Sequence, residues 1–374
     1  MTTTATWRIA LADVVLDERE RAAVDDVLRD GWLSMGPITE QFEAAFAERV
    51  PGDAVAVTNG TAALHLAAAA HGIGPGDEVI CPTLTFVASA AAMAQTGARV
   101  RLADSTSLDD FAIDPAEIER LVTPRTKAVV VVHYGGAPAD MEAIHAVAAR
   151  HGLLVIEDAA HALGSELDGA ACGCLGDAGC FSFFPNKNIT TGEGGMVVFR
   201  DAEAAAKARL LRSHGMTALT WDRHRGHATG YDVVEVGFNY RLDELRAALG
   251  LVQLSRLDEL NDARTRLAAR YRESLTGSGF IVPTLGGRGR SAHHLVVVLA
   301  PSHEERELAR ERLRDARIQT SVHYPPIHRF SHYRREGGRL PIAEEIADRV
   351  VTLPLHPKLT EADVDSVCHV LRDV

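Results

Sequence analysis

The stretch Cys180–Gly195, CFSFFPNKNITTGEGG, carries the strongest signal in this chain of 374 residues. An apolar, strand-like run ends there, Lys187 follows within a turn, and glycines lead into a second apolar run at Met196–Phe199. Burial among apolar and small residues disfavours the ammonium form of a lysine and lowers its pKa. The result is a nucleophilic amine of the kind that forms Schiff bases with aldehydes. A solvated loop lysine is the alternative that this stretch leaves open by itself.

The hydrophobic pattern around this stretch predicts the fold class. Unbroken apolar runs such as Lys127–Val132 and Leu153–Glu157 alternate with helical patterns such as Met141–His151, which indicates a mostly parallel sheet covered by helices on both faces. From residue 242 onward the sequence is charge-rich and helical, and then mixes helices with strands. We therefore predict an α/β protein with a large domain at residues 1–250 and a smaller C-terminal α+β domain at residues 251–374.

Composition and charge exclude several classes of function. The formal net charge of −12 argues against a general binder of nucleic acid or of anionic membranes. The N-terminus lacks the pattern of a signal peptide, and no apolar stretch is long enough to span a bilayer. The five cysteines are scattered, and Cys172 and Cys174 have no second pair at zinc-ligand spacing. We expect a cytoplasmic protein with free thiols, no metal site, and no nucleic-acid or membrane partner.

Two sites at predicted strand ends suit an anionic cofactor. In Asn59–Ala62, NGTA, a strand gives way to a helix whose N-terminus presents free N–H groups to a phosphate, although Thr61 can also simply cap that helix. Asp158 follows the apolar run LLVIE, at the edge of the sheet where sites in open α/β sheets lie. Its carboxylate can pair with a protonated pyridine nitrogen, or it can cap a following helix.

Three further side chains near these sites are candidates for the same cofactor. The imidazole of His161 can lie over a flat ring, and Phe86 can cover the opposite face of that ring. The hydroxyl of Ser182 lies on the strand before Lys187, from which it can reach a phosphate. A packed histidine, a core aromatic and an ordinary strand serine are the respective alternatives.

A phosphate cradle, an acid at a strand end and a lysine in a glycine-rich turn, in that order, point to pyridoxal 5′-phosphate (PLP). The chain here resembles the sugar aminotransferases of the DegT/DnrJ/EryC1/StrS family, which have the aspartate aminotransferase fold with its seven-stranded type of sheet. The resemblance covers essentially the whole chain. It rests on Asn59–Ala62, on DAAHALG at Asp158–Gly164, on the stretch from Ser182 to Gly195, and on GFNYR at Gly237–Arg241.

The resemblance implies a role for each of these residues. Lys187 forms the Schiff base and later carries the proton, and Asp158 pairs with the ring nitrogen. Phe86 and His161 enclose the ring between them. The phosphate is held by Gly60, Thr61, Ala62 and Ser182, and Asn239 reaches the phosphate in the neighbouring subunit of a homodimer.

The resemblance also implies the reaction. Glutamate donates the amino group and leaves the cofactor as pyridoxamine 5′-phosphate (PMP), which then aminates a keto group of a nucleotide-linked deoxysugar, carried by dTDP or UDP. The pattern WDR at Trp221–Arg223, YDVVE at Tyr231–Glu235 and GFNYR at Gly237–Arg241 is closer to enzymes that aminate C4 than to those that aminate C3. A few relatives dehydrate sugars and carry histidine at the lysine position, so Lys187 favours transamination over a PLP- or PMP-dependent dehydratase.

Two segments are candidates for contacts with the sugar nucleotide. Residues 217–231 are rich in arginine, histidine and aromatic residues, so that Arg223, His224 and Arg225 can meet a diphosphate while Trp221 or Tyr231 stacks on a base. An exposed loop is the alternative. The block Ser321–His328 resembles the segment that closes over the sugar in this family, which makes His323 and Tyr324 candidates as well.

Other classes of protein remain as alternatives at this point. A nucleotide-binding oxidoreductase requires Gly-x-Gly-x-x-Gly directly after a strand, and no such element occurs near the N-terminus. A non-sugar or non-catalytic PLP protein on this fold is compatible with the same residues, because fold does not fix function.

Overall fold

The computed structural model describes residues 7–218, 221, 230–334 and 338–374. The strands are, in chain order, β1 (Asp53–Val57), β2 (Glu78–Pro82), β3 (Arg99–Ala103), β4 (Thr126–Val132), β5 (Leu154–Asp158), β6 (Glu166–Leu167), β7 (Ala170–Ala171), β8 (Ala178–Ser182), β9 (Gly195–Phe199), β10 (Val296–Leu299) and β11 (Val350–Leu353). The α-helices are α1 (Glu18–Asp30), α2 (Pro37–Arg49), α3 (Gly60–Ala70), α4 (Ala88–Gln95), α5 (Pro115–Leu121), α6 (Met141–His151), α7 (Ala202–Arg212), α8 (Glu244–Ser255), α9 (Leu257–Ser274), α10 (His303–Asp315), α11 (Pro341–Arg349) and α12 (Glu361–Arg372).

Seven of the strands in the described part of the chain form one sheet in the order β1-β9-β8-β5-β4-β2-β3. The pairs β3/β2, β2/β4, β4/β5 and β5/β8 are parallel, and only β9 runs against its neighbours β8 and β1. The carboxyl ends of the other six strands therefore lie at one edge. The predicted α/β fold with a mostly parallel seven-stranded sheet is confirmed.

Helices cover both faces of this sheet, as its unbroken apolar strands require. Along β4, Ala128 and Val130 pack with α3, α4 and α7, whereas Val129 and Val131 point to the opposite face and pack with α5 and α6. Helices α2 and α8 cover that second face at the β1 end of the sheet, where Phe42 packs with Phe183. This three-layer packing holds the strand ends rigidly in place.

The C-terminal residues build a separate core. Helices α9, α10 and α12 pack with the antiparallel pair β10/β11, and Ile9 from the N-terminal segment joins this core. The charge-rich helical sequence after residue 242 is divided at Arg256, where the backbone leaves the helical region with φ −101° and ψ 1°.

The predicted boundary at residue 250 falls inside α8, which packs against α1 and α2. We keep the division into two domains as a proposal. The packing partners of the chain change at Arg256, between α8 and α9, and not at residue 250.

No helix in the described ranges is both long enough and apolar enough to cross a membrane.

Candidate active site

The loops that follow the carboxyl ends of the strands enclose a cavity of about 620 Å³. This is the edge at which open α/β sheets bind ligands. Ten of the residues that the sequence predicted for the cofactor or the substrate line it together: Gly60, Thr61, Ala62, Phe86, Asp158, His161, Ser182, Lys187, His323 and Tyr324. Residues more than 260 positions apart in the chain thus share one concave surface.

The first turn of α3 forms one wall of the cavity. Asn59, not Thr61, caps this helix, because its side-chain oxygen accepts the N–H of Ala62 at 2.8 Å. The N–H groups of Gly60 and Thr61 have no acceptor within the helix, and the Thr61 hydroxyl is not used in the cap. A Cβ on Gly60 would lie 2.8 Å from the Ser182 Cβ, so glycine lets the helix approach β8. These N–H and hydroxyl groups suit a phosphate.

Asp158 ends β5 in a buried position. Its Oδ2 accepts a hydrogen bond from the Ser89 hydroxyl at 2.6 Å, and its Oδ1 accepts the N–H of Ala160 at 3.2 Å. Turns follow Asp158, so it does not cap a helix. Burial raises the pKa of this carboxyl, while the hydrogen bonds from Ser89 and Ala160 and the charge of Lys187 oppose the rise. A buried carboxylate of this kind favours a cationic N–H partner.

Lys187 lies in a tight turn after β8, where its backbone N–H donates to the carbonyl of Phe184 at 2.9 Å. The side chain is half-buried and faces the cavity. Burial lowers the pKa of the amine to about 8, although the charge of Asp158 acts in the opposite direction. At pH 7 about a tenth of Lys187 is therefore neutral and nucleophilic, far more than for a lysine with the ordinary pKa of about 10.4.

His161 and Phe86 differ in how firmly they are held. The Nε2 of His161 lies 3.1 Å from the Tyr324 hydroxyl, its Nδ1 faces the N–H of Gly135 at 3.4 Å, and burial lowers its pKa well below the usual value. Phe86 is 56 % exposed. Phe86 lies in the loop before α4, which begins at Ala88.

The C-terminal part of the chain contributes His323 and Tyr324. The Nδ1 of His323 lies 2.9 Å from the Thr352 hydroxyl on β11, and its carbonyl accepts the Tyr134 hydroxyl. Burial, and secondly the charge of Lys187, lower the pKa of His323 to about 4. Burial and the charge of Asp158 raise the pKa of Tyr324. Both side chains are therefore neutral at the cavity.

Two further predicted residues, Tyr231 and Asn239, do not line this cavity. Asn239 and Tyr231 are exposed on the strand-like segment that precedes α8. Arg223, His224 and Arg225 lie outside the described residues.

Several residues at the site carried no signal in the sequence that we recognised. Ser89 is the second residue of α4 and lies behind the cavity lining, and only the three-dimensional fold brings its hydroxyl to Asp158. Tyr240 lines the cavity while its hydroxyl contacts the Nδ1 of His65 at 3.0 Å. Asn186 and Glu193 flank Lys187 in the turn, and the Asn186 side-chain oxygen is buried without a hydrogen-bond partner. Their closeness to Lys187 in sequence was the one available indication.

This donor set fits PLP. The N–H and hydroxyl groups at Gly60, Thr61 and Ser182 suit its phosphate, Asp158 suits its ring nitrogen, and the amine of Lys187 suits its aldehyde. No group of three or more potential metal ligands occurs among the residues that the structure describes.

Comparisons with known proteins agree with this chemistry. A model of the DegT/DnrJ/EryC1/StrS aminotransferase family matches residues 14–372. The spore coat polysaccharide biosynthesis protein SpsC of Bacillus subtilis is 42% identical to this chain over 372 residues, which covers 96% of the chain and 95% of that protein.

Solved structures share the whole fold. The aminotransferase TlmJ of Streptoalloteichus hindustanus has a TM-score of 0.90 and 37% identity, with 98% of each chain covered. The PLP form of Spr1654 of Streptococcus pneumoniae has a TM-score of 0.91 and 29% identity, with 97% of each chain covered. Spr1654 has also been solved in a PMP form.

Proposed function

Because the chain belongs to the DegT/DnrJ/EryC1/StrS aminotransferase family and is a PLP-dependent sugar aminotransferase, we propose that it aminates a nucleotide-linked keto sugar with glutamate as the donor. One observation carries the proposal: a single cavity joins the amine of Lys187, the carboxyl of Asp158 and the donor groups of α3 and β8. The predicted family and the PLP cofactor are confirmed by the comparisons.

Bound PLP supplies an aldehyde that accepts an amino group and a ring that takes up electron density from the neighbouring carbon. Lys187 would hold the cofactor through this aldehyde, and its freed amine would carry the proton between the reacting carbon of the cofactor and that of the substrate. With a pKa of about 8, its amine can both accept and release that proton near neutral pH. Asp158 holds a proton on the ring nitrogen, and Ser89 fixes the direction of the carboxylate. Phe86 and His161 enclose the ring.

The substrate side of the proposal rests on charge. Among the described residues that line the cavity there is no arginine, and the histidines His161 and His323 have lowered pKa values. The phosphates of a dTDP- or UDP-sugar therefore need cations from elsewhere. Arg223 and Arg225 of residues 217–231 are the proposed source, while neutral His323 and Tyr324 contact sugar hydroxyls. We propose C4 as the carbon that is aminated.

We also propose that the enzyme is a homodimer with shared sites. Phe86 and Phe184 expose 56 % and 47 % of their surface beside the cavity, which is unusual for aromatic side chains in a monomer. Asn239 is exposed and lies outside the cavity of its own chain. In the proposed dimer, a second copy covers these aromatic residues, and Asn239 of each subunit reaches the phosphate in the other.

The protein of Bacillus subtilis that is 42% identical is named for spore coat polysaccharide biosynthesis, which favours a sugar destined for a surface polysaccharide. The five free cysteines favour the cytoplasm.

The test is a substrate screen with purified, PLP-loaded enzyme and glutamate. We expect turnover with a 4-keto dTDP- or UDP-deoxysugar, formation of 2-oxoglutarate in equal amount, and nitrogen at C4 of the product by NMR. Products with nitrogen at C3 would overturn the assignment of the carbon. A visible absorption band that does not change on addition of glutamate would overturn the choice of donor.

A further inference from the structure

Behind His161 lies a second buried imidazole that the proposed reaction does not use. The rings of His161 and His294 are stacked, with centroids 4.3 Å apart and planes inclined by 30°. His161 lines the cavity and His294 does not, so His294 supports His161 from the side away from the cavity. His294 is 3 % exposed and lies two residues before β10.

Asn188, the residue directly after Lys187, holds His294. Its side-chain oxygen lies 3.1 Å from the Nδ1 of His294, and its side-chain nitrogen donates to the Asn261 side-chain oxygen at 2.7 Å and to the Ala292 carbonyl at 2.8 Å. The two carbonyl acceptors fix the orientation of the Asn188 amide. Its oxygen can only accept, so His294 carries its proton on Nδ1.

The same reasoning fixes the proton of His161. The N–H of Gly135 points at Nδ1, which must therefore be an acceptor, so the proton is on Nε2 and is donated to the Tyr324 oxygen. Burial lowers the pKa of both rings, and each of them is further lowered by the charge of Lys187. His161 and His294 are therefore two stacked, neutral imidazoles, and each has one defined tautomer.

The network also connects distant parts of the chain. Asn261 belongs to α9 and donates to the carbonyl of Leu163, two residues after His161. Gly164 makes this contact possible, because a Cβ there would lie 2.5 Å from the Asn261 side-chain nitrogen. Asn188 therefore ties the turn of Lys187 to the segment of His161 and to the C-terminal part of the chain.

We propose that His294 and Asn188 are positioning residues, which hold His161 flat against the cofactor ring and keep it in register with Lys187. This inference rests on the proposed placement of the ring between His161 and Phe86. Phe86 is 56 % exposed and gives little support in one chain, so the face formed by His161 is the rigid one. Stacking on His294 makes this face rigid, and the Asn188 amide connects His294 to the turn that carries Lys187.

Three substitutions of His294 separate the contribution of the ring stack from that of the hydrogen bond to Asn188. His294→Phe keeps a flat ring but loses the donor to Asn188, His294→Asn keeps a donor near the Nδ1 position but loses the ring, and His294→Ala loses both. Tyr271→Phe is the control, because it removes a buried hydrogen bond of 2.9 Å to the Pro354 carbonyl without touching the cavity. It reports what general destabilisation does to the same readouts.

The first readout uses apo protein with ¹⁵N-labelled histidine. We expect the wild type to show His161 as the Nε2–H tautomer and His294 as the Nδ1–H tautomer. His294→Ala and His294→Asn should let the His161 ring shift, which weakens its hydrogen bonds to Gly135 and Tyr324 and gives a mixture of tautomers. His294→Phe and Tyr271→Phe should keep the ring in place and the single tautomer. An unchanged His161 signal in His294→Ala would overturn the proposal, and if that variant does not fold, His294→Asn decides in its place.

The second readout is the affinity of the apo variants for PLP. We expect the Kd to rise about tenfold in His294→Ala and to remain within about twofold in Tyr271→Phe, since a stacked and hydrogen-bonded support is lost only in the former. A Kd unchanged in all three His294 variants would overturn the positioning role. Failure of wild-type protein to retain PLP on Lys187 after borohydride treatment would instead refute the proposed function, while the tautomer measurement would still judge the His161–His294 pair.

Discussion

The two sides of the cavity are built in different ways. On the cofactor side, the groups lie within a few residues of a strand end: Asp158 ends β5, Ser182 ends β8, and Gly60 follows β1 by three residues. On the substrate side, His323 and Tyr324 arrive from the C-terminal part of the chain and are held by Thr352 and Tyr134. Sheet geometry alone positions the first set, whereas the second depends on packing between distant segments. Substitutions on the two sides should therefore affect different steps.

The largest effect is expected on the cofactor side, at Lys187. Lys187→Ala removes both the nucleophile and the proton carrier, so the rate of the half-reaction with glutamate should fall by at least ~10³-fold. The fold should persist, as measured by circular dichroism. Lys207→Ala, which removes only a surface partner of Glu235 at 3.8 Å, is the matched control and should keep full activity. Near-normal turnover in Lys187→Ala would refute the assignment.

The second prediction concerns pH and tests the coupling of Asp158 with Lys187. Only the neutral amine attacks PLP, so the rate of PLP uptake by apo enzyme should rise with pH and level off above about 8, the pKa of Lys187. Because the charge of Asp158 raises that pKa, Asp158→Asn should move the midpoint to lower pH. Stopped-flow absorbance measures the profile. A midpoint that moves upward, or that lies near 10, would contradict this view of the cavity.

A smaller effect is expected at Gly60, where the first turn of α3 packs closely against Ser182 of β8. Gly60→Ala places a Cβ 2.8 Å from that of Ser182, which should push α3 away from β8 and weaken PLP binding about tenfold, or by ~1.4 kcal/mol. Titration of apo enzyme with PLP gives the Kd. Gly74→Ala is the control, since its Cβ would meet only the Thr96 carbonyl at 3.7 Å. Equal affinities in the two variants would argue against a cradle at this position.

The smallest effect is expected on the substrate side. Tyr324→Phe removes the hydroxyl that accepts from His161 and faces the cavity, at a cost of about 1 kcal/mol for one neutral hydrogen bond. The kcat/KM for the keto sugar should fall about fivefold, while the half-reaction with glutamate changes less than twofold. Steady-state and single-turnover kinetics separate these two numbers. A loss confined to the glutamate half-reaction would place Tyr324 with the cofactor instead.

The same contrast explains which residues could be predicted. Lys187 and Asp158 were found because apolar runs mark strand ends, and parallel strands bring their carboxyl ends to one edge. Ser89 and His294 were missed because each acts on a residue far away in the chain, on Asp158 and His161 respectively. Hydrophobic periodicity describes which face of an element is buried but not which buried side chains meet.

The ends and caps of helices depend on local backbone geometry, which the hydrophobic pattern of the sequence describes only coarsely. The sequence offered Thr61 as a cap for α3, but Asn59 has an extended backbone and its side chain accepts the N–H of Ala62. Similarly, the helical pattern continues through Arg256, but the helix ends there, at the point where the packing partners change from α1 and α2 to α12.

The sequence by itself determined the α/β sheet, the family, and the order of phosphate-binding turn, acid and lysine along the chain. These features follow from periodicity and from short motifs at strand ends. Only the tertiary structure decided that His161 rests on a second imidazole, that Ser89 orients Asp158, and that burial brings the pKa of Lys187 to about 8. The reason is physical: contacts and desolvation depend on which distant segments share a volume, and no local pattern encodes that.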